Sequence, residues 1–174
     1  MKTHEESGPH EQILFEALYP GVQPPERATA GSAGYDVRAF LDGRRVRCSD
    51  GVRAWEEEMS ATGATLEIAP GVTVLVPLGF RARLPHGWEA QVRLRSSLAF
   101  RKGLVIPNAP GTIDCDYPDE WLVMMRGAAA APVQIAHGER IAQIVLSTHG
   151  VLPWVPGVVK RTTREGGVGS TGSF

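Results

Sequence analysis

The sharpest chemical cluster in the chain is Asn108-Ala-Pro-Gly-Thr-Ile-Asp114-Cys-Asp116-Tyr117. Pro110-Gly111 supplies a turn, two carboxylates follow two residues apart, and a tyrosine sits next to them. On a strand, residues i and i+2 point to the same face. A carboxylate held beside a hydrogen-bonding hairpin can orient and deprotonate a water; the same spacing also fits a polar edge strand with two solvated aspartates. The second cluster, Arg93-Leu-Arg95-Ser96-Ser97, ends an alternating segment just before a short helical stretch. A guanidinium, two hydroxyls and the free N–H groups of a helix start can hold an anion; the plainer reading is a serine N-cap with surface arginines. The third cluster is Gly166-Gly167-Val168-Gly169-Ser170-Thr171-Gly172. It contains a literal G-x-G-x-x-G, but a dinucleotide-binding turn must open a helix inside a βαβ unit, and here only Ser173 and Phe174 follow. It reads as a disordered tail, or as an arm whose backbone N–H groups wrap phosphates.

Other chemistries find little support. His4, His10, His86, His137 and His149 show no metal-ligand spacing, and H-E-x-x-H, G-x-S-x-G and G-x-x-x-x-G-K-[ST] are absent. Cys48 and Cys115 are too few for a disulfide framework and lack zinc spacing, so reduced thiols in a cytoplasmic protein are expected. Cys115 lies between two aspartates and is not a nucleophile candidate. The four tryptophans, Trp55, Trp88, Trp121 and Trp154, read as packing residues.

The elements that must position these clusters are short. The chain of 174 residues holds 20 Gly and 13 Pro, a surplus of residues that punctuate structure. That argues against a helical bundle. There is no apolar run long enough to cross a membrane and no secretory pattern at the start. The net charge of −1 disfavours a basic nucleic-acid binder, although only Lys2, Lys102 and Lys160 among the 18 basic residues are not arginine.

Alternation predicts strands over Ile13–Leu18, Ala33–Ala39, Leu66–Ile68, Val72–Val76, Phe80–Leu84, Trp88–Leu94, Trp121–Arg126, Val133–Ile135 and Arg140–Ser147. Tyr35, Val37 and Ala39 share one face, as do Trp88, Ala90, Val92 and Leu94. Ser96–Lys102 is a helical candidate. Segment 41–64 is polar and reads as a surface insertion, with Val52–Ala61 able to form one short helix. The expected organisation is an N-terminal tail (1–11), one all-β domain (12–160) and a Gly-rich C-terminal arm (161–174).

Taken in their order, the clusters resemble the trimeric deoxyuridine triphosphate nucleotidohydrolase (dUTPase) family from about Ile13 to Gly172. Five motifs carry the resemblance: Ala33-Gly-Tyr-Asp36-Val-Arg-Ala39; Arg95-Ser96-Ser97-Leu-Ala99 with Lys102-Gly103; Asn108 to Tyr117; Gly138-Glu-Arg140-Ile-Ala-Gln143; and the tail ending G-S-T-G. The resemblance implies a distorted jelly-roll-like β-barrel, a homotrimer with active sites shared between subunits, and hydrolysis of dUTP to dUMP and pyrophosphate with Mg²⁺ on the triphosphate. It implies that Asp114 activates the water, with Asp116 in support. Tyr117 would pack on deoxyribose, and Asn108, Gly111, Thr112 and Ile113 would read uracil. Arg95, Ser96, Ser97 and Gln143 would bind phosphates, joined by Arg164 (Arg161 second), Gly169, Ser170 and Thr171 of the arm. Asp36 would act through waters near Mg²⁺, and Arg140 would support the interface.

The chain departs from the family at Val168, where an aromatic residue is usual, at Thr163, where the phosphate-binding arginine is usual, and at Asp119 and Leu94. Segment 41–64 is longer than compact members need. Two alternatives stand beside the hydrolase. One is a dCTP deaminase of the same fold, which would need a catalytic glutamate in a differently built third motif. The other is a dUTP-binding regulatory protein with weak or no turnover, using 41–64 as a partner surface.

Overall fold

Gly and Pro cut the chain into short alternating segments, and these pair with one another. The structure, a computed structural model, describes residues 12–163. In chain order the elements are β1 (Leu14–Ala17), β2 (Gly34–Arg38), β3 (Arg45–Ser49), β4 (Ala54–Glu58), β5 (Thr65–Ile68), β6 (Thr73–Pro77) and β7 (Phe80–Arg83). Then follow β8 (Trp88–Leu94), α1 (Ser96–Lys102), β9 (Leu104–Val105), β10 (Gly111–Ile113), β11 (Leu122–Gly127), β12 (Val133–Ala136) and β13 (Arg140–Thr148). One sheet has the order β10-β8-β13-β2 and a second the order β4-β3-β6-β11-β9; β1-β7 and β5-β12 form two ribbons. All of these strand pairs are antiparallel. The fold is all-β and jelly-roll-like. Among the described residues no helix is long and apolar enough to cross a membrane.

Period-two alternation fills the interior. Val37, Ala90, Val92, Ala142 and Ile144 of the first sheet meet Val46, Val74, Val76, Val123 and Met125 of the second, with Leu41, Leu66, Ile68, Leu104, Ile135 and Ile141 fully buried between. Truncating any of these large residues to alanine removes about 2–5 kcal/mol. Trp121 belongs to this core, its ring 5.4 Å from Phe80, whereas Trp154 is fully exposed. Gly127 lets two segments cross: a Cβ there would lie 2.5 Å from the Ala69 carbonyl oxygen.

Segment 41–64 differs from the expectation of a surface insertion with a helix. It is the β3–β4 hairpin, and β3 pairs with β6, so the segment widens the second sheet. Val46 and Cys48 are buried beneath it, while Arg45 and Arg47 are exposed. Two features decide strand over helix. The Asp50 carboxylate accepts the N–H groups of Val52 and Arg53, both at 2.8 Å, and Gly51 takes φ +92°, which makes an Asp-Gly turn. Arg45 then faces Glu58 across the strands at 2.6 Å. A glutamate run read along the chain looks like a helix surface; opposite a row of arginines it is a strand.

Candidate active site

β10 is an edge strand, bonded on one side to β8 through Gly111↔Val92, Thr112↔Gln91 and Ile113↔Ala90. Its other edge leaves backbone donors and acceptors free for a flat polar ring. Gly111 permits the close seating of the turn: a Cβ there would meet Val92 Cβ at 3.3 Å and Asn108 Nδ2 at 3.5 Å. This edge strand and the turns flanking it border a cavity of about 200 Å³ whose polar margin is Asn108, Thr112, Asp114 and Tyr117. Its floor is Val92, Ile106, Leu75, Leu122 and Met124. An apolar chamber with a few convergent polar groups is the usual form of a small-molecule site.

Asp114 and Asp116 are not two residues of one strand face, contrary to the expectation from their spacing. β10 ends at Ile113 and the chain turns, the N–H of Tyr117 donating to the Asp114 carbonyl at 3.2 Å. Asp114 stays at the cavity margin; Asp116 is exposed and does not line it. The Asp-Tyr stretch closes a turn, and a turn cancels the alternation that pairs i with i+2.

A second, charged cluster forms around Asp36 on β2. Its side chain is only 9% exposed and faces three groups: Arg140 Nη1 at 3.0 Å, Arg95 Nε at 3.4 Å and Gln143 Nε2, also at 3.4 Å. Register accounts for this. Asp36 lies opposite Gln143, and Gln143 lies opposite Arg93, so one row crosses β2, β13 and β8. Gly34 keeps the row close, since a Cβ there would stand 2.9 Å from Gln143 Cβ. Arg95 is the extended residue before α1, and Ser96 and Ser97 are the first, exposed residues of that helix. No side chain caps the helix, so the serine N-cap reading does not hold. Gly103, at φ +58°, ends α1 and returns the chain to β9.

The two regions lie largely on opposite faces of the same sheet, Thr112 alone of that sheet's cavity residues sharing the outward row of Gln91. Gly111, Ile113 and Val92 turn inward with the cavity, while Asp36, Gln143, Arg93 and Gln91 belong to the outward rows. On that outward face Arg93 donates to Gln91 at 2.7 Å and Gln91 to Glu89 at 2.8 Å.

Residues 150–163 leave β13 without strand or helix. Val151, Leu152, Trp154, Val155, Val158 and Val159 are all 79% exposed or more, far beyond what a lone chain ordinarily leaves wet. Arg161 is exposed on this segment. Arg164, Val168, Gly169, Ser170 and Thr171 lie outside the described residues.

Sequence reasoning missed the cavity floor, because Leu75, Leu122 and Met124 read as ordinary strand positions. It also missed Arg44 and Glu120, which form a two-bond pair at 2.9 and 2.6 Å.

Comparison with known proteins points to one family and one fold. A family model described as dCTP deaminase-like matches residues 21–149. The deoxyuridine 5'-triphosphate nucleotidohydrolase of Treponema pallidum is 40% identical over 157 residues, 89% of this chain and 94% of the relative. The protein of that name from Rhizobium rhizogenes is 35% identical and spans 99% of both chains. The crystal structure of the dUTPase from Streptococcus mutans superposes with a TM-score of 0.60 at 25% identity, covering 81% of this chain and 99% of the other. A mutant dUTPase of Staphylococcus bacteriophage 80alpha, solved with dUpNHpp, reaches a TM-score of 0.69 at 19% identity, over 93% of this chain and 99% of the other, and shares the fold.

Proposed function

Because the chain belongs to the dUTPase family, we infer that each site takes its nucleoside in the hairpin cavity of one copy and its triphosphate on the Asp36 cluster of another. The protein is a dUTP diphosphatase, releasing dUMP and pyrophosphate. The observation that carries the shared site is the placement of the two regions on opposite faces of one packed sheet. A single nucleotide cannot run through such a sheet. In a homotrimer the cavity of one subunit can face the charged cluster of the next. The exposed apolar segment 150–159 supports such an assembly, since it has surface to bury against a neighbour.

Within this site, Asn108 and the free edge of β10 hydrogen-bond the uracil edge. Tyr117 packs against deoxyribose and leaves no room for a 2′-hydroxyl. Asp114, at the cavity margin, holds the attacking water and takes its proton as the bond between the α- and β-phosphates breaks. Arg95, Ser96, Ser97 and Gln143 bind phosphate oxygens, with Arg140 alongside, and Asp36 holds the two guanidinium groups in place before the substrate arrives. Arg164, with Arg161 as the second choice, and Gly169, Ser170 and Thr171 would complete the phosphate shell from the arm.

No group of three or more His, Cys, Asp or Glu that could hold a metal stands together among the described residues. Asp36 is already engaged by two arginines. In this reading the triphosphate carries the Mg²⁺, and Asp36, held between Arg95 and Arg140, meets it through water rather than as a direct ligand. When bound, the ion neutralises phosphate charge. A cytoplasmic location belongs to the same reading.

Mixing two inactive variants tests the shared site. Asp114→Asn chains and Arg95→Ala chains are pooled equally, unfolded and refolded together. Shared sites restore about a quarter of wild-type dUTP turnover, because that fraction of subunit junctions carries both intact residues. No recovery on mixing means that each chain builds its whole site. Pyrophosphate from dUTP is the readout; ammonia from dCTP would mark the deaminase instead, and tight dUTP binding without turnover the regulatory protein.

A further inference from the structure

We propose that Arg44, carried by the β3–β4 hairpin, is a positioning residue for nucleoside recognition: it anchors Glu120 and thereby fixes the Tyr117 ring on the sugar side of the cavity. This rests on the reading of Tyr117 given above.

Four segments meet at this pair. Arg44 Nη1 and Nη2 reach the two Glu120 oxygens at 2.9 and 2.6 Å, with both side chains largely buried. Glu120 also accepts the N–H of Gly79 at 2.7 Å. The guanidinium lies 4.4 Å from the centre of the Tyr19 ring, within cation–π range. The carboxylate partner raises the pKa of Arg44 above the ordinary arginine value. Arg44 is the residue through which the inserted hairpin grips the rest of the barrel at this point.

The grip reaches the cavity by a short path. Only Pro118 and Asp119 separate Glu120 from Tyr117. Proline restricts its own φ and also the conformation of the residue before it, here Tyr117, so the leg is stiff. On its far side the backbone N–H of Trp121 donates to the Phe80 carbonyl at 3.0 Å, which locks the exit from the leg. Tyr117, Leu75 and Leu122 line both the nucleoside cavity and a neighbouring cleft of about 310 Å³ that contains Arg44 and Glu120. Tyr117 is therefore the wall between nucleoside and clamp.

A planar guanidinium makes two parallel bonds to a carboxylate, and an ammonium cannot. Arg44→Lys therefore keeps the charge and loses the fork. The test compares kcat/KM for dUTP and for UTP in the full-length protein, with Arg44→Lys, Glu120→Gln, Tyr117→Leu and, as control, Arg45→Gln on the same hairpin. The expected result is a fall of about tenfold in the dUTP-over-UTP ratio for Arg44→Lys and Glu120→Gln, as befits a small displacement of a positioning group. It should arise from KM more than from kcat, with Arg45→Gln unchanged. If either single variant does not fold, Arg44→Met/Glu120→Gln, which leaves no buried charge unpaired, reads the same ratio. A ratio within about twofold of wild type in folded clamp variants overturns the proposal, provided Tyr117→Leu collapses it. If Tyr117→Leu also leaves the ratio intact, the reading of Tyr117 is wrong and the proposal falls with it.

Discussion

The cavity beside β10 and the Asp36 cluster are built on opposite principles. The cavity is an apolar floor with polar groups at its margin, and one chain supplies all of it. The cluster is a set of charges held by one another, Asp36 between Arg95 and Arg140, at the outer surface of the sheet. In the site we propose, shape selects the base and sugar, because a chamber of limited volume excludes extra atoms sterically, and charge receives the triphosphate, because guanidinium groups already fixed in place need no reorganisation when the anion binds.

Four perturbations test this division, taken from the largest effect down. Asp114→Asn should lower kcat by about 10³-fold or more while dUTP still binds, since the amide cannot take the proton. Single-turnover kinetics beside a binding titration checks it, and near-normal turnover would remove Asp114 from its role. Asp36→Asn should lower kcat by about 10²-fold by releasing Arg95 and Arg140, with base selectivity unchanged. If selectivity for uracil moves instead, the two halves are not separate.

The glycines give a finer contrast. Gly111→Ala presses on Val92 in the cavity floor and should raise the dUTP KM about tenfold, whereas Gly34→Ala displaces Gln143 and should act through the phosphates. Inhibition by pyrophosphate separates the two, since only Gly34→Ala should weaken it.

The smallest effect lies outside both regions, in the inserted strand. Burial pushes the Cys48 thiol up to about 11, from an ordinary 9.0. Between those values the unfolded chain gives up the proton while the folded chain keeps it, so stability falls as pH rises through that window. Melting temperature against pH should show a steeper alkaline decline in wild type than in Cys48→Ala.

Much of this arrangement was legible in the residues. The alternation on β8 is clean because that strand buries one face, β13 keeps it despite a bulge between Arg140 and Ala142, and the helix over Ser96–Lys102 appears with the expected bounds. The helix expected over Val52–Ala61 does not form, because the Asp50-Gly51 turn and the pairing of β4 with β3 make that stretch a strand. The Asp114–Asp116 spacing misled for the converse reason: strand geometry was extended through a turn. Leu75, Leu122 and Met124 carry no local mark of a binding site, because an apolar strand residue has the same identity whether it faces the core or a cavity.

The sequence by itself determined the vocabulary of this protein: short strands, a Pro-Gly hairpin with an aspartate and a tyrosine, an Arg-Ser-Ser helix start and a glycine-rich end. Those are local matters of backbone propensity and side-chain chemistry. Only the tertiary structure decided that the hairpin and the charged cluster lie on opposite faces of one sheet, and that Arg44 meets Glu120 across 76 residues of chain. Which face a strand shows, and which distant partner it meets, depends on register and packing, and register is set by the whole core rather than by any one segment.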